Sequence, residues 1–253
     1  MKQIPVRGKH LDVLTTKDQL YITISKIQTA PFTYFYFRYA YYESNVSWNM
    51  KEMSIYNTIL VLPLLYVIFD FFYTILHWLL HIKSIYGYIH KHHHTQKSPS
   101  RANIDAINVH PIEFFCGENL HLVSIYITCK VFQINVHVLT TLVVVVCGGI
   151  LAGLNHTRYD ININIPTLFK LLPIFSSNST NDSNGMITLF DSKYHDIHHR
   201  FPTVNYGQYT VLWDHIFGTF RYVILFCVCV CVCVCFVYLE KNLLNRVLLV
   251  LFI

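Results

Sequence analysis

Residues 77–94 read HWLLHIKSIYGYIHKHHH and residues 195–199 read HDIHH, and between them these stretches hold most of the chain's 15 histidines. His77 and His81 stand four apart at the end of an apolar run, so on a helix both imidazoles project from one face within about one turn. His90, His93 and His94 have the i, i+3, i+4 spacing of one helical face, with His92 on the other side. His195, His198 and His199 repeat that spacing. A lone HWLLH reads as two interfacial histidines, and a lone HKHHH as a basic surface tract. Three such clusters in 253 residues point instead to a metal centre. Imidazole is a good ligand for iron, zinc and copper, and an all-imidazole set can hold two divalent ions without a cage of carboxylates. The set of Glu and Glu-x-x-His pairs on four helices that a carboxylate-bridged bundle shows is not found, and the HExxH of a zinc hydrolase is absent from the sequence.

The run leading into His77 is the clearest membrane candidate. Ile55 to Phe72 is nearly uncharged, and its roughly 18 residues make about 27 Å of helix. Leu20 to Tyr42 is apolar and aromatic but interrupted by Lys26, Pro31 and Arg38, which leaves its spanning status open. After a polar stretch from Lys83 to His110, Leu120 to Val131 and Val136 to Leu154 are joined by the short FQIN connection and resemble a membrane hairpin. Two crossings between the second and third clusters return both to one side. The flanks of that side carry Lys83, Lys91, Lys97, Arg101, Arg158, Lys170, Lys193 and Arg200, which the excess of positive charge on cytoplasmic loops assigns to the cytosol. The expected fold is an all-α integral membrane protein of about four transmembrane helices in two hairpins, with a cytosolic helical cap holding a histidine-rich dimetal site.

Composition agrees with lipid as solvent: 53% of residues are hydrophobic and 13% charged, against about 25% charged in a typical soluble chain. The net charge of +5 is scattered, with no basic run interleaved with aromatics, so nucleic acid is not an expected partner. The length suits one domain. Five of the eight cysteines (Cys227, Cys229, Cys231, Cys233 and Cys235) alternate with Val, and no CxxC pair exists. Such an alternation is what a translated GT dinucleotide repeat encodes, so residues 222–253 read as an apolar tail or as a gene-model artefact, and no chemistry is assigned to them. The polar N-terminus shows no secretory signal peptide. SSNSTNDSNG, residues 176–185, reads as a surface loop whose sequons at Asn178 and Asn181 are expected to stay cytosolic and unmodified.

HWLLH, HKHHH, NVHPIE, NHTRYD and HDIHHRFPTVNYGQYTVLWDHIFGTFR together resemble the fatty acid hydroxylase superfamily, which includes sterol desaturases, sterol methyl oxidases and sterol side-chain hydroxylases. The resemblance covers roughly residues 55–221, implying a catalytic domain there and leaving 1–54 as an N-terminal region with a candidate first membrane helix. It implies a membrane-bound non-heme di-iron oxygenase of the endoplasmic reticulum, with its active site facing the cytosol. Such an enzyme hydroxylates a sterol or fatty-acyl lipid using O2 and electrons from cytochrome b5 and its reductase. Carried onto matching positions, the metal ligands are His77, His81, His90, His93, His94, His195, His198 and His199, with His156 of NHTRYD as a ninth. The cofactor implied is two iron ions. Without an HPGG heme signature, the electron donor is expected to be a separate protein.

Lipid desaturation and sterol methyl oxidation are alternatives that the same motifs allow. A histidine-rich membrane metal-binding protein without catalysis is the alternative of another class. Asp70 lies seven residues before His77 on the same helix face and is expected either to orient a ligand imidazole or to make a structural hydrogen bond, with Asp196 and Asp214 as similar candidates. His110, His121, His137 and His215 read as structural, and Tyr206 and Trp213 as anchors of the cap at the membrane interface.

Overall fold

A computed structural model describes residues 2–6, 13–166 and 186–221 of the chain. The Asn/Ser-rich stretch with Asn178 and Asn181, Lys170, and the apolar tail 222–253 with its Val/Cys alternation lie outside the described residues.

Four long helices carry the structure. The first, α1 (Thr16–Tyr42), starts at a capping box: the Thr15 hydroxyl accepts from the Asp18 N–H, and the Asp18 carboxylate accepts from the Thr15 N–H. It passes through Pro31 without ending, although proline removes one helical donor. The second, α2 (Val61–Leu80), is extended at its start by a π-helical turn, Tyr56–Leu60, giving 25 residues of continuous, predominantly apolar helix. After the single-turn helices α3 (Lys83–Tyr86) and α4 (Asn103–Ala106) comes α5 (Pro111–Tyr126), prolonged by a second π-turn to Val131. The fourth is α6 (Val138–Asn155). His110 and His137, read as structural, are the N-caps of α5 and α6: each accepts the N–H two residues on through Nδ1. The fold finishes with α7 (Ser192–Arg200) and α8 (Leu212–Phe217).

Two small sheets interrupt the all-helical expectation. β1 (Val46–Ser47) pairs in parallel with β2 (Val136–His137), and β3 (Asn162–Pro166) pairs antiparallel with β4 (Met186–Asp191). A two-residue strand has no periodicity to read, and its pairing is set only by where the helices bring it.

Phe32, Tyr36 and Ala40 of α1 pack with Val61 and Leu65 of α2, Ile125 of α5 and Val144 of α6 in one apolar core. The Tyr36 hydroxyl donates to the Thr141 carbonyl at 3.1 Å, tying α1 to α6. At this end of the bundle Lys130 pairs with Glu43 at 3.0 Å, beside the β1–β2 pair. Among the described residues two helices are long and apolar enough to cross a membrane, Tyr56–Leu80 and Val138–Asn155, and only 33% of each is buried within the protein. Their outward faces leave Ile59, Leu60, Trp78, Leu142, Val146 and Ile150 exposed.

Candidate metal centre

The opposite end of the bundle collects the histidines. The last turn of α2 carries His77, and His81 is its C-cap. The chain after α3 delivers His90, His93 and His94, α6 ends at His156, and α7 supplies His195, His198 and His199. All nine histidines named from the sequence meet, in two groups: His77, His81, His90, His94 and His198 in one, and His93, His156, His195 and His199 in the other. Within each group every ligand atom lies within 4.8 Å of the others. The groups adjoin, with the His94 and His199 ring centroids 4.9 Å apart.

Each HxxHH motif is divided between the two groups. On the regular helix α7, residues i and i+4 are about 40° apart around the axis, while i+3 lies about 100° from i+4. His195 and His199 therefore serve the four-membered group, and His198 turns to the five-membered one. Residues 90–94 depart from the single α-helical face that their spacing suggests. Lys91 N–H reaches back five residues to Tyr86 (2.8 Å), and His93 N–H reaches back only three to His90 (3.1 Å). The widened and then tightened backbone leaves His90 and His94 together and sends His93 across to the other group. The motifs thus exchange their third members.

The nitrogens that converge are Nε2 atoms. His77 to His90 is 3.1 Å, His90 to His94 2.9 Å, His94 to His198 3.2 Å and His198 to His81 3.2 Å. In the second group His93 to His156 is 3.2 Å, His156 to His195 3.1 Å and His195 to His199 3.1 Å. These contacts cannot all be hydrogen bonds, because several rings have their one proton committed elsewhere. Nδ1 of His77 donates to the Tyr206 carbonyl (2.8 Å), that of His198 to Val204 (2.6 Å), that of His156 to Ala152 (2.8 Å) and that of His199 to Gln96 (3.1 Å). A carbonyl only accepts, so each of these neutral rings presents a bare lone pair at Nε2. His195 lies between the bare Nε2 atoms of His156 and His199 and has at most one proton to give, so at least one lone pair there is unmatched at 3.1 Å, which a cation among the nitrogens would relieve. A metal–nitrogen bond of about 2.1 Å sets neighbouring ligand nitrogens roughly 3.0–3.4 Å apart, so the donor set fits metal ions.

Burial favours the same neutral state. With the exception of His81, all nine rings have less than a tenth of their surface exposed. Desolvation first, and then neighbouring imidazoles, hold His90, His93, His94, His195, His198 and His199 well below the ordinary imidazole range. His81 is pushed down to about 3 by the same causes.

The surrounding acids are held differently from one another. Asp70 touches no ligand imidazole. Its carboxylate accepts the N–H groups of Gln208 (2.9 Å), Tyr209 (3.0 Å) and Thr210 (2.7 Å) and the Thr210 hydroxyl (2.9 Å). It thereby fixes the loop whose Tyr206 carbonyl orients His77, because this row of backbone donors is what lies within reach of the buried carboxylate. Asp214 clamps the same loop through the N–H groups of Tyr206 and Gly207. Asp196 pairs with Arg158 and Arg200, and Asp105 with Arg101. Tyr206 is buried against His77, His81 and His198 rather than lying at an interface. Trp213 donates to the Val67 carbonyl and joins α8 to α2. His121 is buried against Phe69, and His215 stacks on Phe220.

Two contacts were not foreseen. Glu113 Oε1 lies 2.7 Å from His90 Nδ1, and its only sequence signal is an acid in the NVHPIE motif next to an apolar run. His92, outside both groups, bonds Asp18 (3.0 Å) and Asn108 (3.1 Å), while the Asn108 backbone bonds His93. Nothing in sequence spacing relates α1 to that cluster. A polar cleft lined by His93, Gln96, Asp105, Asn108, His156 and His199 flanks the four-membered group.

A helical protein with membrane-length apolar helices and two adjoining all-histidine donor sets is defined by these features. A family model described as fatty acid hydroxylase matches residues 62–219, and the chain belongs to that family. It is 31% identical over 153 residues to methylsterol monooxygenase 1 of Gallus gallus, covering 60% of this chain and 43% of that protein. It is 29% identical over 151 residues to lathosterol oxidase of Rattus norvegicus, covering 58% of this chain and 42% of that protein. The match therefore spans less than half the length of these curated relatives. No solved structure matches the chain.

Proposed function

We propose that the chain is a membrane-bound non-heme di-iron oxygenase that hydroxylates a sterol or fatty-acyl lipid, with O2 as oxidant and electrons from cytochrome b5 and its reductase. The observation that carries this reading is the pair of adjoining imidazole sets, whose ligand nitrogens converge within 4.8 Å while the Nδ1 protons of His77, His198, His156 and His199 are committed to carbonyls. Membership of the fatty acid hydroxylase family supports iron and a lipid, and the names of the two relatives favour a sterol.

In this reading His77, His81, His90, His94 and His198 hold one ion and His93, His156, His195 and His199 the other. Two iron ions supply the capacity to reduce O2 and oxidise an unactivated C–H bond. The protein's own part is positioning. Carbonyls of Tyr206, Val204, Ala152 and Gln96 lock the rings in one tautomer and one orientation. Burial keeps bulk water from the reacting centre. The apolar outer faces of α2 and α6 let a lipid approach from the bilayer.

The same reading places α1, α2, α5 and α6 as four spans beneath a cytosolic cap in the endoplasmic reticulum. In support, the N-terminal end of α1, the C-terminal end of α2, the N-terminal end of α5 and the C-terminal end of α6 all reach the histidine cluster, through Asp18, His77, Glu113 and His156. Helices alternating in direction with these ends gathered at one side form two hairpins.

Expression in a host without such hydroxylases, followed by lipid mass spectrometry under 18O2, tests the function. The expected product is a sterol or fatty-acyl lipid gaining one labelled oxygen. An oxygen-free alkene would assign desaturation instead, and an unchanged lipid profile in protein loaded with iron and supplied with electrons would refute oxygenase chemistry.

A further inference from the structure

Nine imidazoles bring no charge to the two donor sets, so the anions around them decide how each set balances a cation. Among the described residues each nearby acid but one has another use. Asp105 is matched by Arg101, and Asp196 by Arg158 and Arg200. Asp70 and Asp214 are spent on backbone N–H groups of one loop and on the Thr210 and Thr219 hydroxyls. Glu113 is different. It is 8% exposed, its Oε1 lies 2.7 Å from His90 Nδ1, and its Oε2 is buried with no hydrogen-bond partner. A buried carboxyl oxygen without a donor is unfavourable in a merely structural glutamate, and it is relieved by positive charge placed just beyond the histidine.

The asymmetry between the two sets follows from the anchors. In the four-membered set the Nδ1 atoms of His156 and His199 go to the neutral Ala152 and Gln96 carbonyls, His93 bonds the Asn108 backbone, and His195 Nδ1 has no partner among the described residues. In the five-membered set His77 and His198 are held by carbonyls too, and only His90 meets a carboxylate. A carboxylate behind an imidazole raises the basicity of its far nitrogen and strengthens the metal bond made there. We propose that Glu113 is a positioning residue that makes the two metal sites unequal, with the set of His77, His81, His90, His94 and His198 binding its ion more tightly. The inference rests on the reading that both sets hold metal ions.

Titration of the metal-stripped full-length protein in detergent with Co2+, followed by its visible absorption, separates the two claims. The wild type is expected to bind two equivalents in two resolved steps. Glu113→Gln keeps an oxygen near His90 but removes the carboxylate, and is expected to weaken the tighter step about 10–100-fold while leaving the weaker step in place. Glu113→Leu is expected to weaken the same step at least as much, and His93→Ala to remove the other step alone. If the wild type binds fewer than two equivalents, the two-metal reading fails. If it binds two and Glu113→Gln leaves both steps unchanged, or weakens both equally, the assignment of Glu113 is overturned.

Discussion

Removing the Asp70 side chain leaves the row of donors in residues 208–210 without their acceptor. Asp70 is fully buried and takes three backbone N–H groups and one hydroxyl at 2.7–3.0 Å. In Asp70→Ala the Thr210 hydroxyl can rotate to a new partner, but the three amides are stranded in the interior. Each stranded donor costs about 1–3 kcal/mol, so a loss of roughly 3–6 kcal/mol is expected once partial relaxation is allowed. For a chain of this size that is a fall in Tm of roughly 6–24 °C. Asp70→Asn retains the oxygen that serves Gln208 and Tyr209 but turns an NH2 toward the Thr210 donors, and is expected to cost about 1–3 kcal/mol. The effect extends to the metal centre, because the same loop supplies the Tyr206 carbonyl that holds His77 at 2.8 Å. Thermal unfolding of the detergent-solubilised, metal-free protein measures the first effect, and Co2+ affinity the second. A Tm for Asp70→Ala within about 2 °C of wild type, or an Asn variant as damaging as the Ala variant, would refute the loop-holding role.

Three further outcomes are expected. Gly207→Ala puts a Cβ against the Thr210 carbonyl and 2.9 Å from Asp214 Oδ2, and strain of about 1–3 kcal/mol is expected, read as a lower Tm. Imidazoles depressed by burial bind protons more readily when unfolded, so the metal-free fold keeps its full stability above about pH 6.5 and loses it as pH falls below that value toward the folded pKa values. The slope is roughly 1 kcal/mol per pH unit for each ring such as His195, His198 or His199, and Tm measured against pH checks it; a flat profile from pH 7 to 5 would contradict the neutral-ring assignment. His93→Ala and His198→Ala are each expected to lose one of two bound ions, whereas His92→Ala retains both, which metal analysis of the purified proteins decides.

The residue types and spacing of HWLLH, HKHHH and HDIHH were enough to mark His77, His81, His90, His93, His94, His195, His198 and His199, because a metal site demands one side chain repeated at helical intervals. Family resemblance added His156. Long apolar runs likewise marked α2 and α6, since helix-length hydrophobicity is written locally. Their partition into five and four depended on tertiary structure. Helical spacing keeps the i and i+4 members of each HxxHH motif together and sets i+3 apart, but which group each member joins turns on how α7 meets residues 90–94. Asp70 shows the same limit. Its place seven residues before His77 left open a contact with a ligand ring or a structural hydrogen bond, and the chain returns from 138 residues away to take its oxygens with backbone donors. Glu113 and His90 are 23 residues apart and meet only because α5 packs beside α2. Sequence alone thus determined which residues have the chemistry to bind metal and which segments prefer lipid, both properties of single side chains and short windows. Long-range packing decided which ring faces which partner and which carboxylate stands behind it.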